Sequence, residues 1–302
     1  MKILFIADPN SIHDVKWIAT LSAFATNVFL LPRKIHYSNA ALQGITILPP
    51  IYDFSIVRFY RTLAEAYQIK KIVRGSKIDL IHILYAEPNA LWCFFRDYFN
   101  VPMIITTRGT DVLKTIPEAF EKKNLINFFV APLYKFSFYR ADRITVTSEK
   151  QKESIRKFSG RTNGIAIVRT GVNVKLIESM RGSSSNLGEQ KFILFPRLVK
   201  PIYNHEFCLE AIQRLNPMVQ RMYAMVFVGK NSGDKAYQEF LEARMHEMPT
   251  INFVFLESQS QEELIKLYYH SSLVVMTPKS DGSPVSAMEA MLCGTKVVLG
   301  PL

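Results

Sequence analysis

The sequence predicts an α/β protein made of two doubly wound, Rossmann-like domains. Three observations predict it. Short apolar runs such as Lys2–Ala7, Leu80–Leu84, Phe192–Phe195 and Leu273–Met276 lack polar alternation, as strands buried on both faces do. Segments of helical period separate them, which is the βα alternation of a parallel sheet. The alternation halts at the polar, Gly- and Ser-rich stretch "MRGSSSNLGEQ" (Met180–Gln190) and then restarts, which places domains at 1–180 and 187–302.

In the first half, strands are predicted at Lys2–Ala7, Asn27–Leu31, Ile45–Leu48, Leu80–Leu84, Met103–Thr107, Arg143–Val146 and Ile165–Val168. Helices fill the intervals near residues 14–25, 56–74, up to Phe99, 117–139 and 149–158, the second of them carrying Arg58, Arg61, Lys70, Lys71 and Arg74. Three strands run into polar breaks, "DPNSIHD", "YAEPN" and "RGTD". Doubly wound sheets bind ligands at the carboxyl ends of their strands, so these three loops form one predicted cleft. In the second half, strand Phe192–Phe195 leads to "PRLVKPIYNHE" and a helix to Leu215. Strand Tyr223–Val228 leads to "GKNSGD" and a helix to His246. Strand Ile251–Phe255 precedes helix Gln261–Tyr269.

The last unit, Leu273 to Gly300, is the most informative. It reads as a strand, a polar loop at 277–282, a helix with Ser283 as N-cap and Pro284 first, a stop at Gly294, and strand Lys296–Leu299. Glu289 sits in this apolar helix with Val285, Ser286, Leu292 and Cys293 at three and four residues, so no basic residue of the helix can pair with it. Buried alone, a carboxylate costs several kcal/mol, on the order of a desolvation penalty, so a polar partner from elsewhere is expected. Asp281 lies on the preceding loop, and the helix N-terminus can cradle a phosphate. The unit thus offers an anion cradle and two carboxylates, equipment for a ligand with phosphate and hydroxyl groups. An ordinary βαβ unit, with Asp281 a solvated turn residue, is the alternative reading.

The chain has 302 residues and a formal charge of +11. Residues 1–170 hold 24 basic and 13 acidic residues, the remainder 13 of each, so the whole excess lies in the first half. A basic half suits nucleic acid, an anionic membrane surface or an anionic substrate, or reflects solvated helix faces. No nucleic-acid module is recognisable beside the charge. The residues following Lys2 do not make a secretory leader, and no apolar run is long enough to span a membrane. Cys93, Cys208 and Cys293 make neither a disulfide framework nor a metal spacing, which fits a reducing cytoplasm. The sequence lacks a G-x-G-x-x-G after its first strand, a Walker loop, a zinc spacing and a G-x-S-x-G elbow. No cofactor or metal is therefore expected.

"SDGSPVSAMEAMLCGTKVV" resembles the signature of the family-four retaining glycosyltransferases, with Asp281 and Glu289 at the family's spacing and Asp where Glu is usual. The likeness extends over nearly the whole chain. Ser11, His13 and Trp17 resemble an opening loop of one branch; "TTRGTDV" resembles the family's His-Gly-x-Asp loop with Arg108 for His; "ADRITVTSE" and "RTGVNV" resemble the end of its first domain; "FPRLVKPIYNHEFCLEAI" resembles its phosphate loop. The resemblance implies the GT-B architecture, two domains facing across a cleft, and metal-free transfer from a nucleotide-sugar to a glycan or lipid-linked acceptor, with retention, in envelope or polysaccharide synthesis. It further implies that the family's C-terminal helices are missing here. By carry-over, Glu289 binds the ribose hydroxyls; Asp281, Gly282, Ser283, Pro284 and Val285 hold the donor sugar and diphosphate; Arg197 neutralises that diphosphate. Lys200 falls earlier in its motif than the family's lysine. Asp111, with Arg108, Gly109, Ser11 and Glu87, would serve the acceptor side, and His13 an acceptor or phosphate contact. A degenerate, binding-only relative and a nucleotide-sugar epimerase are the alternatives.

The segment "FEKKNLINFFVAPLYKFSFYRADR" mixes Lys122, Lys123, Lys135 and Arg140 with six aromatic residues from Phe128 to Tyr139. Such a helix suits the headgroup layer of an anionic inner leaflet, or else packs in the core.

Overall fold

The computed structural model describes residues 1–33, 42, 44–122, 124–279 and 284–300. The chain divides into two compact units, Met1–Arg169 and Thr170–Leu302. The break lies upstream of the predicted linker. The reason is a short helix, Val174–Ser179, which packs against the helices Gln261–His270 and Val285–Leu292 of the second unit. Tyr269 fastens it by donating its hydroxyl to the Ile177 carbonyl at 2.9 Å.

The first unit is one parallel sheet of β1 (Lys2–Ala7), β2 (Asn27–Pro32), β3 (Thr46–Ile47), β4 (Leu80–Leu84), β5 (Met103–Thr106), β6 (Arg143–Val146) and β7 (Ile165–Ile167). Their order is β3-β2-β1-β4-β5-β6-β7, so the direction of winding reverses between β1 and β4. β1 shows why the strands read as unbroken apolar runs. Leu4 and Ile6 enter one core with Ala66, Trp92 and Phe138, while Ile3, Phe5 and Ala7 enter another with Val15 and Ile18. Each successive side chain meets a covered face.

One polar rung crosses this sheet. His82 on β4 bonds Thr106 on β5 (Nε2 to Oγ1, 2.7 Å), which bonds Thr145 on β6 (2.7 Å). Burial pushes the imidazole down to about 4. Unfolded, His82 takes up its proton near the ordinary 6.5. Between those values the unfolded chain binds more protons, so stability falls as pH drops through that window and is level above it. We expect denaturant titrations to show a loss of roughly 2–3 kcal/mol from pH 7 to pH 4 that His82→Gln largely removes; equal slopes in parent and variant would refute it.

The second unit is a five-stranded parallel sheet of β8 (Phe192–Phe195), β9 (Ala224–Lys230), β10 (Phe253–Glu257), β11 (Leu273–Met276) and β12 (Val297–Leu299), in the order β10-β9-β8-β11-β12. Its winding reverses between β8 and β11. Phe195 and Phe227 stack at 4.3 Å on one face, and Phe192, Leu194, Val226 and Val274 fill the other.

The helix Val285–Leu292 closes with a Schellman motif. Thr295 N–H reaches the Ala290 carbonyl, Gly294 N–H reaches that of Met291, and Gly294 takes φ +80°. The predicted stop at Gly294 is where the helix ends. Its start differs: Pro284, expected first in the helix, is the cap itself, with a non-helical ψ of 79°, and the helix begins at Val285.

Candidate active site

In the second unit the polar groups gather where winding reverses, the place a doubly wound sheet leaves a crevice. Arg197 follows β8, two residues past its end. Its guanidinium lies 4.3 Å from the centre of the Tyr203 ring, and Nη1 donates to the Ser286 hydroxyl at 3.4 Å. Stacking and hydrogen bonding together aim the fork at the first turn of the helix Val285–Leu292. Glu289, one turn deeper, is only 5 % exposed. The partner demanded by its burial comes from another helix, where Gln261 Nε2 donates to its Oε1 at 2.9 Å.

The loop bearing Arg197 is tightly held. His205, buried and kept neutral by its burial, donates Nε2–H to the Leu198 carbonyl at 3.1 Å. Asp234 N–H reaches the Val199 carbonyl at 2.8 Å, and a Cβ on Gly233 would fall 2.0 Å from that oxygen, so only glycine lets the β9 loop approach. The β11 loop is fastened to the same place. Lys279 N–H bonds the Ile202 carbonyl and its Nζ bonds Glu206 Oε1, both at 2.9 Å.

Of the predicted donor-side residues, the structure brings together Arg197, Val285 and Glu289, with Pro284 at the helix start. Lys200 is exposed and lines an open depression of about 440 Å³ with Pro201, Ile202, Gly233 and Asp234. Asp281, Gly282 and Ser283 lie outside the described residues. Sequence reasoning did not assign Tyr203, Gln261, Ser286 or Lys279 to the site. The i, i+3 spacing of Ser286 and Glu289 was a signal for Ser286; nothing local signals Gln261, 28 residues before its partner.

In the first unit the loops after β1, β2, β4 and β5 carry a second polar cluster. Arg108 forms an ion pair with Asp14, whose other oxygen accepts Asp8 N–H at 2.8 Å. Burial brings Arg108 down to about 10, still cationic at neutral pH. Ser11 caps the helix Ile12–Ser22 by accepting Asp14 N–H at 3.4 Å, and accepts Arg108 Nη1 at 3.5 Å. His13 is exposed on the first turn of that helix.

Asp111 plays a different part from the expected one. It is 0 % exposed, and its two oxygens accept the backbone N–H groups of Ala86, Arg108, Gly109 and Val112. It ties the β4 loop to the β5 loop and presents no surface to a ligand. Gly109, at φ +134°, supplies the turn that lets its N–H meet that carboxylate at 2.8 Å. Glu87 is half-buried, and burial, with Asp53 and Asp111 nearby, raises its carboxyl above the usual range against the opposing pull of Arg33. Arg33, which sequence reasoning missed, grips Asp53 with two bonds of 2.5 and 2.8 Å.

Among the described residues, no group of three or more His, Cys, Asp or Glu side chains is gathered as a metal site requires. No helix among them is long and apolar enough to cross a membrane.

Comparison with known proteins matches residues 2–148 to the family described as Glycosyl transferase 4-like and residues 177–301 to Glycosyl transferases group 1. The structure of Anabaena HepE in complex with UDP superposes on 99 % of this chain and 80 % of that one, at 16 % identity and a TM-score of 0.72. The chain belongs to the GT-B glycosyltransferases. Among curated relatives, an uncharacterized glycosyltransferase of Methanocaldococcus jannaschii is 24 % identical over 266 residues, 87 % of this chain and 66 % of its own length. The Campylobacter jejuni N,N'-diacetylbacillosaminyl-diphospho-undecaprenol alpha-1,3-N-acetylgalactosaminyltransferase is 21 % identical over 299 residues, 90 % of this chain and 72 % of its own length. The chain thus spans about two thirds of the length of these relatives.

Proposed function

We propose that this GT-B chain transfers a hexose from a nucleotide-diphosphate sugar to a glycan or lipid-linked acceptor, with retention and without a metal, in envelope or polysaccharide synthesis. The observation that carries the reading is the convergence of Arg197, Ser286 and the buried Glu289 on one helix end at the point where the second sheet reverses. A carboxylate accepts from a vicinal diol, and a guanidinium fork with a helix N-terminus meets a diphosphate. As the diphosphate leaves, charge develops on it, and Arg197 and the first turn of that helix stand ready to stabilise it. In this reading Asp281, Gly282 and Ser283 complete the donor side, Lys200 adds charge at its rim, and Arg108, Ser11, His13, Gly109 and Glu87 line the acceptor side.

Three similarities support the substrate class: HepE is described in complex with UDP and with UDP-glucose, and the C. jejuni relative is named for an acceptor on diphospho-undecaprenol. A thermal-shift panel of UDP-, GDP- and ADP-glucose tests the donor directly. One of the three is expected to raise the melting temperature by mass action; no shift with any would remove the reading.

The helix Leu125–Arg140 supports docking on a membrane surface. Tyr134 and Phe138 enter the core, but Leu125, Phe128, Phe129, Phe136 and Tyr139 face outward, Phe128 at 73 % exposure. Lys122, Lys135 and Arg140 lie among them, with Arg140 over the Phe136 ring at 5.8 Å. Aromatic side chains with interspersed cations suit the headgroup layer of a cytoplasmic leaflet. We expect the chain to float with vesicles containing anionic lipid at low salt and to be released as salt rises; no flotation at low salt would end this part.

A further inference from the structure

The buried phenol of Tyr268 is a group that the donor site, as built so far, does not use. Tyr268 stands on the helix Gln261–His270 and is 0 % exposed. Its hydroxyl lies beside Ser286, near Glu289 and Arg197, but the Ser286 contact falls short of full hydrogen-bond geometry and no other described residue completes it. A native hydroxyl left so in a well-packed interior calls for an explanation, because buried polar atoms are nearly always satisfied. Its burial and the Glu289 charge both hold the phenol protonated, so at neutral pH it is an O–H donor. The acceptor beside it is Ser286 Oγ, which takes one long bond of 3.4 Å from Arg197. A serine hydroxyl carries two acceptor lone pairs and a single hydrogen. If Tyr268 and Arg197 fill the lone pairs, the hydrogen has one direction left, outward from the first turn of the helix Val285–Leu292.

We infer that Tyr268 is a positioning residue of the donor site, orienting the Ser286 hydroxyl so that it donates to the diphosphate of the bound nucleotide-sugar. The same helix contributes Gln261, which bonds Glu289, so one element behind the site bears on both Glu289 and Ser286. This inference rests on the donor-site reading above and adds to it a residue that never touches the ligand.

The test uses the purified full chain with UDP, GDP and ADP in calorimetric titrations. Tyr268→Phe removes one oxygen and keeps the ring, so the unliganded melting temperature should stay near the parent's. The nucleoside diphosphate that binds the parent should bind this variant about tenfold more weakly, which is about 1.4 kcal/mol. Ser286→Ala should show a similar loss, and Tyr268→Phe added to Ser286→Ala should change nothing further, because the relay is already cut. A merely structural role would lower the melting temperature and add to the loss in the Ser286→Ala background. A parent that binds and a Tyr268→Phe variant that binds equally well would overturn the relay alone. A parent that binds none of the three would remove the donor-site reading and the relay with it.

Discussion

Glu289→Ala is expected to abolish the thermal shift that a nucleotide-sugar gives the parent chain. A hydrogen bond to a charged group contributes about 1.5–3 kcal/mol, and a diol can make two with one carboxylate. At a ligand concentration of about 100 Kd the parent gains about 2.7 kcal/mol of apparent stability. Losing roughly 3 kcal/mol of binding raises Kd more than about a hundredfold and reduces that gain to a few tenths. Glu289 is buried and bonded to Gln261, so its removal also leaves an amide without its acceptor. Glu289→Gln keeps a group there for Gln261 and separates the two effects. It should fold like the parent and bind the donor poorly. A Glu289→Ala protein that shifted as much as the parent would take this residue out of the site.

Arg197→Ala is expected to lower kcat for donor turnover by about 10²–10³, the scale seen when one preorganised donor to developing charge is deleted. The structure argues for a large effect because the guanidinium is preoriented, stacked on Tyr203 and bonded to Ser286 before any ligand arrives. Arg197→Lys restores the charge without the planar fork or the stack, so recovery should be partial. Steady-state assays of donor hydrolysis and transfer distinguish the cases. Wild-type kcat in the alanine variant would show that the diphosphate is stabilised elsewhere.

Both sheets were legible in the sequence, because strands covered on two faces are apolar throughout and the helices between them are not. Shorter elements were harder to read. The helices Val174–Ser179 and Pro217–Met222 are six residues each, too short for a 3.6-residue period to declare itself, and the first of them shifted the unit boundary. The stretch up to Phe99 reads as one helix but folds as three short pieces, the middle one a 3₁₀ turn burying Leu91, Trp92 and Cys93.

Within the site, residue type is informative where one element holds the chemistry. The burial of Glu289 among apolar neighbours was readable and implied a partner; that the partner is Gln261 depends on how two helices pack, which the chain order does not encode. Asp111 shows the opposite failure. A carboxylate in a loop at a strand end looks like a ligand contact, yet four backbone N–H groups converge on it and make it a knot. The helix Leu125–Arg140 combines both expectations, with one stripe in the core and aromatic residues left outside.

The ion pair of Arg108 with Asp14 constrains how this protein can change over evolutionary time. Removing either partner strands the other charge in a desolvated setting, at a cost of about 3–5 kcal/mol, whereas exchanging both for neutral groups that fill the space can be nearly free. The route from one viable pairing to another therefore crosses a valley of single mutants, and the two positions, 94 residues apart in sequence, should be inherited as a unit.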